Sequence, residues 1–267
     1  MPSISKWGER IATMPDYVIP NLLNAGRVLK LLASEPELSA LQISRALDVP
    51  RTTVIRIVNS LVREGLLESD ERHLYALGPA LIYLGMRAMA GVDLTGLAKP
   101  LLKQLAEQTG ETAHLAMLSD EKSLLMEVCQ SPLPIRAGAP AGTLADLHCS
   151  ATGKAFLAWN FRDRLDDYFR RMMPRTRTGR TIVTAERMAK EIALILKRGY
   201  AVDEEEFFDG IRCAAVPVFN SRGHVAIALG ITGVTQRLTR GRVAECAAQL
   251  KAAAAILSEA LGHRPSA

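Results

Sequence analysis

The chain has 267 residues, 48% of them hydrophobic and 23% charged, with a formal net charge of +5. That length suits two modest domains with packed cores, and no stretch approaches the roughly 18 consecutive apolar residues that a membrane-spanning helix needs. The four cysteines, Cys129, Cys149, Cys213 and Cys246, are widely spaced with no CxxC pair, which argues against a disulfide or zinc-ribbon framework and fits a reducing cytoplasm.

Residues 1–20 carry Pro2, Pro15 and Pro20 without periodicity and are expected to form a mobile tail; Lys6 and Arg10 lack the apolar run of a signal peptide. From Asn21 to Ala33, apolar Leu22, Ala25, Val28, Leu29 and Leu32 recur at helical spacing. Ser39 and Gln42 make a capping box, so a helix is expected from Ala40. It should bury Leu41, Ala46 and Leu47, with Ile43 near the edge of the stripe, and stop at Asp48-Val49-Pro50. In the next helix Val54, Ile57, Val58 and Leu61 fall at i, i+3, i+4 and i+7 as one apolar face. Thr52, Arg56, Asn59 and Arg63 centre on the opposite face, and Gly65 suits the left-handed position after the helix.

Two short helices around a tight turn, the second with a polar face, are the pattern of a helix-turn-helix. The first turns of its second helix meet base edges and later residues reach the backbone. Thr52, Thr53 and Arg56 are the base-reading candidates, and Arg63 is a phosphate candidate. Residues 1–80 carry nine Lys/Arg and nine Asp/Glu, so the basicity is local: Arg45, Arg51, Arg56 and Arg63 against Asp48. A surface helical hairpin in a helical enzyme would show much of this pattern. Leu66–Ser69 and His73–Leu77, two strand-like runs around Asp70-Glu71-Arg72, read instead as a wing. The candidate DNA-binding set is Arg45, Arg51, Thr52, Thr53, Arg56, Asn59, Arg63 and Arg72.

Gly78-Pro79 ends the wing and opens a helix to about Ala90; Gly91 and Asp93 interrupt the pattern before Leu94–Gln108 resumes it. Alternation from Thr112 and through Ser123–Cys129, around a Ser119–Lys122 turn, predicts a hairpin. The basic run Arg162–Arg180 reads as a solvated helix and loop. Thr184 caps a helix over Ala185–Arg198 that Gly199 ends. Cys213–Phe219 and His224–Thr232 flank Asn220-Ser221-Arg222-Gly223, a second hairpin, and an alanine-rich helix over Thr239–Leu261 closes at Gly262. Hairpins with helices before and after predict an α+β domain.

The segment RVLKLLASEPELSALQISRALDVPRTTVIRIVNSLVREGLLE, with YALGPALIYLG after it, resembles the amino-terminal domain of IclR-type transcriptional regulators. LHCSATGKAFLAW (Leu147–Trp159) and GYAVDEEEFFDGIRCAAVPVFNSRGHVAIALGITG (Gly199–Gly233) resemble the two signature stretches of that family's ligand-sensing domain. The resemblance implies a tail over 1–20, a winged helix-turn-helix over 21–78, a linker helix over 79–95 that contributes to dimer contacts, and a GAF-like α/β effector-binding domain over 96–263. It also implies that Ala151, Thr152, Asp203, Cys213, Gly230 and Thr232 line an effector cavity for a small organic acid. Small-acid sensors of the family carry serines where this chain has Gly230 and Thr232. Loss of the hydroxyl at Gly230 would enlarge the cavity and favour a bulkier, aromatic or branched acid. Asp146 stands where proline is usual, so the loop there should differ.

Read from the residues themselves, Ser150–Lys154 opens a helix whose N–H groups, Gly153 included, suit an anion. It is no Walker loop, because His148 stands where the first glycine belongs and Ala155 replaces Ser/Thr. An ordinary capped helix start is the plain alternative. His114, His148, Cys149 and Asp203 are chemically able metal ligands, but their spacing matches no compact zinc motif, and no metal or cofactor is expected. Glu204-Glu205-Glu206 reads as a solvated loop edge and would raise the pKa of a Cys213 thiol, against a nucleophile. The reading is a cytoplasmic, dimeric or tetrameric regulator that binds a double-stranded operator and controls an adjacent catabolic operon. Its rival is a small-molecule-converting enzyme using an Asp203/Cys213 cavity.

Overall fold

The computed structural model describes residues 18–89 and 94–264 and divides into two compact units, 1–93 and 94–267. Gly91, Asp93 and the expected tail through residue 17 lie outside the described residues. In the first unit α1 (Pro20–Ser34) begins with a proline in its first turn, where the missing N–H costs nothing. Val28 and Leu32 bury its inner face, while Leu22 stays exposed, against expectation. β1 (Leu38–Ser39) leads into α2 (Ala40–Leu47), and the capping box forms in full: Ser39 Oγ accepts from Gln42 N, and Gln42 Oε1 accepts from Ser39 N at 2.9 Å.

The buried stripe of α2 differs from the expected one. Ile43 is fully buried and Leu47 half-buried, whereas Leu41 is 40% exposed and Ala46 is exposed. At about 100° per residue, Ala40, Ile43 and Leu47 share one face, and Leu41 lies a quarter-turn outside it. Asp48, in the left-handed conformation at φ 53°, ends the helix and turns the chain into α3 (Arg51–Arg63). There the wheel holds: Val54, Ile57, Val58 and Leu61 are all buried. Leu67 of β2 (Leu67–Ser69) and Tyr75 of β3 (Leu74–Leu77) extend the same core. β1 was not expected. It pairs with β3 opposite β2, making a three-stranded sheet, order β1-β3-β2, that ties the start of α2 to the wing. α4 (Pro79–Met89) follows.

The second unit is a six-stranded antiparallel sheet in the order β6-β5-β4-β9-β8-β7. Its strands are β4 (Thr112–Ser119), β5 (Lys122–Cys129), β6 (Leu144–Asp146), β7 (Ala201–Glu204), β8 (Ile211–Phe219) and β9 (Val225–Val234). Both expected hairpins form; β6 and β7 are the short outer strands. Side chains alternate between sheet faces, so the register sorts them. Thr112, Thr232, Cys213 and Asp203 stand in one cross-strand row, and His114, Gly230, Ala215 and Ala201 in the next row of the same face. α6 (Ala151–Phe156) packs on that face, with a π-helical turn at Leu157–Phe161, α7 (Leu165–Met172) and α8 (Ala185–Arg198) behind it. α5 (Leu94–Thr109) and α9 (Arg240–Ala260) pack on the sheet and on each other. Thr184 and Thr239 cap α8 and α9, and Gly199 ends α8 at φ 75°.

Truncating Ile43 to alanine is expected to cost about 2–5 kcal/mol of first-unit stability, as for other buried aliphatic deletions. Leu41→Ala should stay within about 0.5 kcal/mol, as a surface change. Urea melts of the two variants check the assignment; equal losses would return Leu41 to the core.

Candidate functional site

Two surfaces carry the chemistry. On α3, Thr52, Arg56, Asn59 and Arg63 are exposed along one stripe, directly opposite the buried face. The guanidinium groups of Arg56 and Arg63 have no intramolecular partner among the described residues. Arg51 begins the helix and Thr53 is half-buried at the edge of the stripe. Arg45 is exposed in the last turn of α2. Arg72 sits at the wing turn, where Asp70 Oδ1 accepts the backbone N–H groups of Arg72 and Leu74 at 3.0 and 2.8 Å. Between α3 and the wing runs a groove of about 480 Å³ that includes Asn59, Arg63, Ser69 and Tyr75. Ser69 and Tyr75 are wing residues that the pattern of α3 alone does not show.

The second candidate is a buried region between α6 and the sheet. Thr152 is buried and its Oγ1 lies 2.7 Å from Ser123 Oγ on β5, which seats α6 on the row of Asp203, Cys213 and Thr232. Ala151 is buried beside it. Cys213 Sγ and Thr232 Oγ1 are 3.2 Å apart. Asp203 Oδ1 accepts the N–H groups of Glu206 (2.7 Å) and Phe207 (3.3 Å), closing the loop after β7. Burial pushes Asp203 up to about 7, the Glu206 carboxylate adding to the rise while the two N–H bonds oppose it. The Cys213 thiol is driven well above its ordinary value by burial and by Asp203, so a thiolate nucleophile has no support here.

Three expectations are corrected. Gly153 is not an open anion cradle: its N–H already bonds Ser150 Oγ at 3.2 Å, and a Cβ there would lie 2.6 Å from Leu147 O. With six residues, α6 is a capped helix start on which close backbone packing demands glycine. Gly230 does not enlarge the cavity either. A Cβ there would come 2.6 Å from His114 Nε2, so the imidazole fills the space a serine would take. Burial holds His114 down at about 4, so it is neutral. Third, the acidic run is no solvated edge. Glu206 is buried against Lys154, Glu204 bonds Arg212 and Arg240, and Glu205 pairs with Arg180 at 3.0 Å. The Arg162–Arg180 run is likewise only partly solvated, since Tyr168 and Phe169 are buried and Arg177 lies 4.1 Å over the Phe207 ring.

Asp146, His148 and Cys149 bring three potential metal-ligand atoms within 4.8 Å of one another. Their environment does not suit a cation. Asp146 is already held by Lys122 and, at 2.6 Å, by Arg177. His148 Nε2 lies 3.1 Å from Arg175 O, and burial pushes the Cys149 thiol up to about 12. These contacts tie β6 to the strand beside it and to the loop after α7.

The sequence profile described as Bacterial transcriptional regulator IclR C-terminal matches residues 86–259, and that of the IclR helix-turn-helix domain matches residues 22–71. The HTH-type transcriptional regulator BhcR of Paracoccus denitrificans is 33% identical over 90% of this chain and 86% of its own length. The HTH-type transcriptional regulator KdgR of Escherichia coli is 30% identical over 93% of this chain and 95% of its own. The crystal structure of an IclR transcriptional regulator from Alicyclobacillus acidocaldarius superposes with a TM-score of 0.79 at 30% identity, covering 92% of this chain and 100% of that one.

Asp203 and His114 act on stability in opposite directions over one pH range. Asp203 holds its proton more tightly folded than unfolded, so its contribution falls as pH rises from the ordinary 3.8 to about 7. His114 resists protonation when folded, so its contribution grows as pH rises from about 4 to 6.5. Asp203→Asn keeps an acceptor for the two N–H groups and removes one of the opposing titrations. The melting temperature of the variant should therefore climb more steeply than that of the unmodified chain between pH 4 and 6.5. Parallel thermal melts over that range would show that Asp203 titrates as an ordinary carboxylate.

Proposed function

The chain belongs to the IclR family of bacterial transcriptional regulators, and we propose that it reads a two-fold operator through α3 and answers to a small organic acid held between α6 and the sheet. Its relatives are transcriptional regulators and not enzymes. The observation that carries the DNA reading is the exposed stripe of Thr52, Arg56, Asn59 and Arg63, whose two guanidinium groups have no partner among the described residues. Thr52, Thr53 and Arg56 in the first two turns face base edges. Arg45, Arg51, Arg63 and Arg72 serve the phosphates, and Asn59 lies between the two sets.

One helix-turn-helix presents little surface, so two copies are needed to span a palindrome. α4 supplies apolar surface for pairing: Ile82, Tyr83, Leu84 and Met86, spread over about half of the helix circumference, are 51–68% exposed. Effector binding would favour one arrangement of the paired chains and so the spacing of their recognition helices. Among the described residues no helix is long and apolar enough to cross a membrane.

The effector site combines Ala151, Thr152, Asp203, Cys213 and Thr232 with His114, which takes over the polar role at Gly230. The neutral imidazole removes the reason to expect a bulkier acid. What favours a hydroxy acid is an unmet acceptor in the loop that Asp203 closes: Glu206 Oε2 is buried without a hydrogen-bond partner among the described residues. An unmet buried acceptor costs about 1–3 kcal/mol, which a ligand hydroxyl would relieve.

Arg56→Ala should weaken operator binding by about 1–3 kcal/mol and relax specificity at one base. Arg63→Ala should weaken operator and random DNA alike and flatten the salt dependence. Titration of both variants on both DNAs checks this, and unchanged binding throughout would end the DNA reading. For the effector, a hydroxy acid and its deoxy partner are compared by calorimetry. The unmodified chain should prefer the hydroxy acid, and Asp203→Asn, which gains a donor, should lose about tenfold of that preference. Identical preferences would leave Asp203 as a loop-closing residue.

A further inference from the structure

A cavity of about 850 Å³ opens at the far end of β8, built by the last turns of α9, the end of α8 and Trp159 after α6. None of the proposed effector residues lines it. Short β7 pairs only with Ile211-side residues of β8, from Arg212 to Ala215, which leaves the Val216–Phe219 edge of β8 without a strand neighbour on that side. The edge is closed to strand addition. Pro217 offers no N–H, and Phe219 N already bonds Ser258 Oγ at 3.0 Å. The occupant is therefore not another strand.

The walls describe a different guest. Phe219 and His263 stack with centroids 5.1 Å apart and planes at 26°, and Trp159 meets Phe219 edge-on at 6.1 Å. These three rings, packed against one another, form an aromatic wall of the cavity, a surface on which a further ring can pack. Two cations, Lys251 and Arg264, line the cavity against a single carboxylate, Glu259, among the described residues. Lys251 is held in place by its bond to Arg198 O at 2.6 Å and lies 5.5 Å from the Tyr200 centroid. The volume falls in the range of small-molecule sites. We propose that this cavity is a second ligand site, for a planar aromatic carboxylate, its ring against Trp159, Phe219 and His263 and its charge on Lys251 and Arg264. α9 packs along β8, and β8 carries Cys213 of the effector row, so one strand joins the two sites.

The test is calorimetry on the full chain with 1-naphthoate, its neutral amide 1-naphthamide, and the non-aromatic anion cyclohexanecarboxylate. Saturable naphthoate binding is expected, at least tenfold tighter than either control. The double variant Lys251→Gln/Arg264→Gln, in which glutamine keeps a donor for Arg198 O, should lose at least tenfold for naphthoate and little for the amide. No saturable binding, or equal affinity in the double variant, overturns the proposal. Sedimentation velocity covers the remaining occupant: if the double variant or naphthoate changes the oligomeric state, the cavity is a contact between copies of the chain and the proposal fails.

Discussion

A lysine ammonium with 1% of its side chain exposed must find its counter-charge inside the protein, and Lys154 finds two. Glu206 bonds it directly, and Glu191 on α8 lies at 3.5 Å and is shared with Arg198 at 2.8 Å. Glu206 is itself fixed by its N–H on Asp203 and by the hydroxyl groups of Thr178 and Thr181 on its carbonyl oxygen. One charge therefore pins α6, the loop after β7 and α8 to each other. Breaking such a buried pair by removing one partner typically costs about 3–5 kcal/mol, far more than an exposed pair.

Everything proposed for the sensor depends on that anchor. The cross-strand row of Thr232, Cys213 and Asp203, the heart of the proposed effector site, is covered by α6, which is held over it with Thr152 on Ser123. The same loop bends Asp203 back onto the N–H groups that follow it, so its carboxylate is oriented before any ligand arrives. A site whose polar groups are already held spends less binding energy on ordering them. On α3 the logic is reversed. Among the described residues the stripe stays unpaired, so its side chains remain available to a partner that carries the complementary charge.

Much of this was legible in the sequence where a side chain answers to its own element. The wheel of α3, the capping box at Ser39, the Thr184 cap and the Asn220–Gly223 turn each depend on residues a few positions apart. Where the decision lay with distant partners, the reading failed or stopped short. Leu41 and Ile43 are equally apolar, and only the positions of α1 and α3 choose between them. β1, two residues long, has no pattern of its own and exists because β3 is there to pair with. Gly230 suggested empty space, yet the imidazole that fills it comes from a residue far earlier in the chain, brought alongside by the β4–β9 register. Glu206 looked like surface because acidic runs usually are; its partner, Lys154, was already within a singled-out motif, but nothing in either segment pointed to the other.

The β4–β9 pairing also orders events in time. Thr112 meets Thr232 in the middle of the sheet, so the central ladder closes a loop of well over a hundred residues. Loop-closure entropy must be met before such a contact stabilises anything, which makes it slow to form. The core around α3 draws only on residues between 25 and 75. During synthesis the helix-turn-helix unit can thus be complete while the second unit still lacks the strand at its centre. A ribosome-bound chain would carry a finished α3 long before the sheet of its second unit can close.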